Sequence, residues 1–355
     1  MKKFLFFFVF AAALFTLFAC VSIDRTGTGS AGRGGRAAKN EPSGRIVIYT
    51  SIYEDVIVSL KAALQKHFPD VTIEFVYGGT GQLESRIASN IAAGRLGADI
   101  LMVGTPAYAV ELKEKRVLHR FKSRHAPDLA FEYDEDGYWH PVRISNMVLA
   151  FNPELHNRNS IPRSFYDFSH DMDLRGVVSM SNPLTSGTSK AAITALRDRY
   201  GYEFFQALGR QSAVIESGAV ALSRLESGER KLVMVLEESV LRKRQEETSR
   251  LEVIYPTDGT IIIPSPIMIA ADKWSANNNT RTAELIVDWF LSAEGQSAIV
   301  DGWMHSVRRY FNQIPFDSIP ITDIQANSMP INWENSLRDG DEILSIFEEN
   351  VINRR

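Results

Sequence analysis

From Arg45 onward the chain alternates short apolar runs with stretches of helical spacing, and few folds accommodate that alternation. Ile46-Val47-Ile48-Tyr49 is apolar at every position, as a strand covered on both faces requires. Val56, Ile57, Leu60, Leu64 and Phe68 then recur at helical intervals, which predicts a helix ending at Pro69-Asp70. Ser51-Ile52-Tyr53-Glu54 reads as its capping box. Val71 to Tyr77 predicts a second strand and Gly78-Gly79-Thr80-Gly81 a turn. Leu83, Ile87 and Ile91 mark a second helix, and Ala98 to Val103 a third strand. Strand, helix, strand, helix, strand predicts an α/β fold with a parallel sheet and right-handed crossovers.

A length of 355 residues is large for one core, which favours two lobes. Trp139 to Phe151 is extended and apolar, a candidate crossing into a second lobe. That lobe carries strands at 176–180 and 232–236, and a turn at Thr185-Ser186-Gly187-Thr188 that opens a helix with Ala191, Ala192, Ile193 and Leu196. Thr260 to Ala270 is the return crossing, followed by an amphipathic helix with Leu285, Ile286, Trp289 and Phe290. The expected division is a first lobe of residues 45–140 plus 265–355 and a second of 141–264. A polar helix near Glu342–Val351 closes the chain.

Ahead of this lie Lys2, Lys3 and an apolar run from Phe4 to Phe18 broken only by Thr16. Charge followed by a short apolar core reads as a secretory signal over residues 1–19, below the ~20 apolar residues a spanning helix needs. The sole cysteine, Cys20, follows Leu17-Phe18-Ala19, and this resembles the lipobox of bacterial lipoproteins. The resemblance implies cleavage before Cys20 and lipidation of its thiol. Phe18 departs from the smaller residue usual there. Residues 21–44, rich in Gly, Ser, Ala and Arg, read as a flexible tether spanning roughly 25–30 Å. Gly27-Thr28-Gly29-Ser30-Ala31-Gly32 fits G-x-G-x-x-G, but no strand precedes it and no helix follows, so no dinucleotide cradle forms. A net charge of −4 gives no electrostatic reason to expect nucleic acid.

Three loops share one feature. Thr50-Ser51, Gly79-Thr80-Gly81 and Ser186-Gly187-Thr188 each follow a strand and open a helix. In an open parallel sheet such loops lie beyond the carboxyl ends of the strands, where ligands bind. Helix starts offer unpaired N–H groups and the positive end of the helix dipole, and glycine lets the backbone come close. The loops together predict a pocket for a carboxylate, phosphate or phosphonate, with Tyr53 as an aromatic neighbour. Ser and Thr also cap helices for their own sake, so any one loop alone is ambiguous. Glu237 and Glu238 end a strand at the same opening, as acceptors for sugar hydroxyls or partners for an ammonium, or else as an exposed pair opening a charged helix.

The seven histidines are scattered, without metal-ligand spacing, and no HExxH, G-x-S-x-G or GxxxxGK[ST] motif occurs. Ser186 and Lys190 miss the S-x-x-K spacing. No metal and no cofactor is expected, and nothing argues for an enzyme.

Glu216 to Glu238, Tyr255 to Ile267 and the string Asp-Trp-Phe-Leu-Ser-Ala-Glu-Gly-Gln at 288–296 resemble bacterial extracellular solute-binding proteins of ABC importers. The similar group handles ferric iron, sugar phosphates, aminoethylphosphonate or thiamine. The resemblance implies a two-lobed periplasmic-binding-protein fold, type II-like, with a hinge of two extended segments near 140–150 and 260–270. It implies a monomer in the cell envelope or periplasm that hands its ligand to a membrane permease. Ferric-binding members carry adjacent tyrosines where this chain has Glu237-Glu238-Ser239. Three readings stay open: capture of a small, phosphorylated organic anion; capture of ferric iron; and an anchored envelope hydrolase.

Overall fold

The computed structural model describes residues 41–354. The signal segment, Cys20 and the tether up to residue 40 lie outside the described residues. Strand β1 (Gly44–Thr50), helix α1 (Glu54–His67), β2 (Val71–Tyr77), α2 (Thr80–Ala92), β3 (Ile100–Met102) and α3 (Pro106–Glu114) come first. The middle of the chain holds β4 (His140–Phe151), α4 (Phe165–His170), β5 (Val178–Ser181), α5 (Gly187–Tyr200) and α6 (Glu203–Arg210). It continues with β6 (Val214–Glu216), α7 (Gly218–Glu226), β7 (Leu232–Leu236), α8 (Glu237–Glu246) and β8 (Glu252–Ile254). β9 (Thr260–Ile269), α9 (Thr280–Leu291), α10 (Ala293–Asp301), α11 (Ile321–Ala326), β10 (Ser328–Met329) and α12 (Trp333–Phe347) complete it.

The strands run in the order β2-β1-β3-β9-β4-β7-β5-β6. Each end of this sheet is parallel, β1 with β2 and β3, and β5 with β6 and β7. The middle is not. β4 and β9 lie antiparallel from His140–Ile267 to Met147–Ile261, where the two halves join, while the parallel sheet expected of the first three strands is present. These are the two extended segments read as crossings, and they are paired along most of their length. β9 meets β3 at one end, and β4 meets β7 at the other.

Period-2 geometry explains why β1, from Ile46 on, and β7 carry apolar residues on both faces. Ile46 and Ile48 pack with Leu60, Trp289 and Phe290 on one face of β1. Val47 and Tyr49 pack with Leu83 and Ile87 on the other. β7 repeats the pattern in the second half, Leu232 and Met234 on one side, Val233 and Val235 on the other.

Two local readings are corrected. The box at Ser51 does not form, because α1 starts at Glu54 with Tyr53 as its cap residue, placing Glu54 at the first helical position instead of the third. The C-terminal helix begins at Trp333 rather than near Glu342. Expected with the first lobe, it buries Ile343 and Phe347, with Val351 beyond it, among Phe204, Phe205 and Leu208 of the second half. Among the described residues no helix is long and apolar enough to cross a membrane.

Candidate functional site

The loops following β1, β2, β5, β6 and β7 all open on one cavity of about 510 Å³ between the two halves. Parallel strands explain this, since their carboxyl ends share a side and each is followed by a helix start. Four helices, α2, α5, α7 and α8, begin at its wall, at Gly79-Thr80, Ser186, Ser217-Gly218 and Leu236. Four dipole ends aimed at one space favour an anion there.

Ser51, Tyr53, Gly79, Thr80, Ser186, Thr188 and Glu238 line this cavity. Thr50, Gly81, Gly187 and Glu237 do not. Thr50 is buried, and its Oγ1 accepts from Ile52 N at 3.1 Å, forming the turn rather than the site. Gly81 N donates across the cleft to Thr185 O at 3.1 Å. Gly187 faces a neighbouring cavity, and a Cβ there would lie 2.6 Å from Thr80 Cγ2, so the close approach of the α2 and α5 starts requires glycine. Ser186 also serves its own helix, accepting from Ser189 N at 3.3 Å, with Thr188 Oγ1 at 3.1 Å.

The two glutamates part company because successive helical residues point ~100° apart. Glu237 turns away from the cavity. Its Oε2 accepts from Asn146 Nδ2 at 2.7 Å and lies 3.0 Å from His305 Nε2, while its Oε1 accepts from Tyr255 and Ser318. Burial alone would raise its carboxyl, but His305 and the donors Asn146 and Ser318 hold it below the usual carboxylate range.

Glu238 faces the cavity, accepting from Ser145 Oγ at 2.7 Å. Burial pushes it from the ordinary 4.5 to about 7, with Arg143 and Ser145 opposing. A folded state that keeps this proton while the unfolded chain loses it is destabilised as pH rises between those values. Between pH 4.5 and 7 the protein is therefore expected to lose about 3 kcal/mol relative to Glu238→Gln. Denaturant melts of both across that range check it, and parallel profiles contradict it.

Two arginines complete the wall, and neither was singled out from the sequence. Arg143 stands on β4 next to a register shift between Pro141 and Arg143, a bulge that redirects the side chain. It is 5% exposed, and burial pushes its pKa down against the pull of Glu238. Its Nη2 donates to Ser51 Oγ at 3.3 Å, its Nη1 reaches Ser145 Oγ only at 3.5 Å, and its Nε is buried without a partner. Arg242 lies one turn beyond Glu238, on the same face of α8. Glu216, the remaining acid of the wall, is engaged by Arg224 at 2.9 Å and Arg230 at 3.0 Å. Among the described residues no three His, Cys, Asp or Glu are grouped to hold a metal ion.

Two α/β halves joined by a pair of crossing strands, with helix starts meeting in the cleft between them, define a two-lobed periplasmic-binding-protein architecture. Residues 97–333 match the family model described as bacterial extracellular solute-binding protein, and the chain belongs to that family, whose members capture solutes for ABC importers. A Haemophilus influenzae protein is 24% identical over 267 residues, covering 71% of this chain and 74% of the relative. Iron-bound HitA from Pseudomonas aeruginosa matches with a TM-score of 0.74 at 19% identity, over 86% of this chain and 99% of that one. AfuA from Actinobacillus pleuropneumoniae, with exogenous fructose 6-phosphate bound, matches at 0.73 and 20% identity, over 87% and 99%. At these identities the structural matches speak for the fold alone.

Proposed function

We propose that this protein captures a small organic anion, most plainly a phosphorylated one, in the cavity between its lobes and delivers it to a membrane permease. The observation that carries the reading is Arg143: a guanidinium buried on a crossing strand, with no carboxylate oxygen at ion-pair distance among the described residues and an unpartnered Nε. A buried charge linked to its nearest acid, Glu238, only through Ser145 is costly to keep, and an anionic ligand supplies a direct partner. Four helix starts and Arg242 act in the same direction. Glu238 stands ready for a ligand hydroxyl, as acceptor or, protonated, as donor. That AfuA holds fructose 6-phosphate in the same fold makes this ligand class a sensible first probe.

Ferric capture is the weaker reading. It calls for phenolates, and burial, followed by the charge of Glu238, pushes the Tyr53 hydroxyl up to about 12. Glu237 is already saturated with donors.

Cys20 carries the lipid, residues 21–43 tether the body to the membrane of the cell envelope, and the protein works as a monomer. The first lobe spans 45–140 and 265–326; the second spans 141–264, with 328–354 riding on it. Ligand contacts from both lobes favour the closed state.

A thermal-shift screen with fructose 6-phosphate, 2-aminoethylphosphonate, thiamine and inorganic phosphate tests the function. A ligand at a hundred times its dissociation constant adds ~2.7 kcal/mol of stability. Stabilisation by none of these, together with a charge-transfer colour on adding Fe³⁺, overturns the reading, and release of phosphate from the ester points to a hydrolase. Replacing Ser186 and Thr188 together by Ala is expected to weaken the bound anion tenfold or more while the fold persists, since a hydrogen bond to a charged group contributes about 1.5–3 kcal/mol. Unchanged affinity in calorimetric titration would remove the anion from the α5 start.

A further inference from the structure

Arg242 is held from behind by two acids that do not line the cavity, Asp55 and Glu246, and along its face by Tyr53, which does. Asp55, in the first turn of α1, takes Arg242 Nη1 on its Oδ2 at 2.9 Å, while its Oδ1 accepts from Val56 N at 2.9 Å. Glu246 approaches the same Nη1, at 3.6 Å. The guanidinium lies over the Tyr53 ring, with Cζ 5.1 Å from the centroid, and that ring is pinned by its hydroxyl to Ser239 Oγ at 2.5 Å. The group is thus fixed at one end and along one face. What remains is the edge formed by Nε and Nη2, the pair of parallel donors that matches a carboxylate or phosphate. Nε is buried without a partner, and Nη2 donates to no protein group among the described residues. Buried donors are nearly always satisfied, so an unsatisfied donor edge on a residue of the cavity wall marks a place for a ligand oxygen pair.

We propose that Asp55 is a positioning residue of this site: by occupying Nη1 it turns the bidentate edge of Arg242 toward the bound anion. The inference rests on the anion-capture reading above, and it adds that the ligand presents two oxygens in one plane to α8, as a phosphoryl, phosphonyl or carboxyl group does and a single hydroxyl does not. Asp55 touches no ligand.

The test uses Asp55→Asn, Asp55→Glu and Arg242→Lys with inorganic phosphate and fructose 6-phosphate as probes. In the ligand-free protein the Arg242 Nε–H signal, assigned by its loss in Arg242→Lys, is expected to be rigid on the nanosecond timescale and to become mobile in Asp55→Asn. Affinity is expected to fall about tenfold in Asp55→Asn and to return to within threefold in Asp55→Glu. Asp55→Asn added to Arg242→Lys is expected to cost nothing further, because both changes remove one interaction. An unaltered Nε–H signal in Asp55→Asn, or additive losses in the double variant, overturns the role of Asp55. If the unaltered protein binds neither probe, it is the anion reading that falls, and the Nε–H measurement alone then decides whether Asp55 fixes Arg242.

Discussion

Arg143→Met is expected to lower affinity for the captured anion by at least a hundredfold and to leave the ligand-free fold as stable as before, or more so. The two halves of that expectation have one cause. Truncating one member of a buried charge pair costs roughly 2–5 kcal/mol of binding, much of it from the charge left unpaired. Before ligand arrives, the guanidinium has no direct ion pair: it is 5% exposed, with bonds of 3.3 and 3.5 Å to hydroxyls, a contact of 3.2 Å to Met304 Sδ and an orphan Nε. Such bonds return little of the desolvation cost, and methionine fills the space among Met304 and its neighbours without that cost. Arg143→Lys separates charge from geometry; it keeps the first and loses the fork, and is expected to fall between the two. Titration calorimetry and urea melts read the two quantities independently. A variant that still binds tightly but melts early would make Arg143 a structural residue and take the main support from the anion reading.

Sequence patterning reaches most of the scaffold because β1 and β7 are covered on two faces and β2 alternates apolar with more polar positions, so all three read as strands without knowledge of their neighbours. The crossings at β4 and β9 are legible for the same reason. Their antiparallel pairing is not, since register depends on the partner. Prolines at 141, 264 and 266 lack N–H donors and sit in that ladder, and the bulge beside Arg143 is a property of the pair. Arg143 was therefore hidden among apolar neighbours whose strand assignment was correct. Arg242 was hidden differently: inside a charged helix it looked like one more solvated side chain, and only the contact with Asp55, 187 residues away, sets it apart. The loops at 51, 79–80 and 186–188 were readable because topology gathers helix starts on one side of a sheet. Which atoms of each loop face inward was not, as Thr50, Gly81 and Gly187 illustrate.

The sequence offers Glu237 as a ligand contact, whereas its environment makes it the residue whose loss is expected to damage the fold most. Its carboxylate receives Asn146 from the crossing strand β4, Tyr255 from the segment after β8, Ser318 from the loop before α11, and stands 3.0 Å from His305 beyond α10. Partners from three regions of the chain, around 146, 255 and 305–318, meet on two oxygen atoms, with 1% of the residue exposed. Alanine leaves every one of those polar groups without its acceptor in a space too enclosed for easy rehydration. Leaving a buried polar group unsatisfied costs about 1–3 kcal/mol, and several are stranded at once, so Glu237→Ala is expected to lose at least about 3 kcal/mol in urea denaturation. Glu237→Gln keeps shape and one carbonyl oxygen, and about 1–3 kcal/mol is expected from the bonds it gives up. The neighbouring Glu238→Gln provides the contrast: facing the cavity, already pushed up to about 7 by burial, it tolerates the neutral amide, and its effect belongs to ligand affinity and to the pH profile. If Glu237→Ala melts like the unaltered protein while Glu238→Gln unfolds, the orientation of the two side chains at the start of α8 is the reverse of that described, and the cavity has been built on the wrong carboxylate.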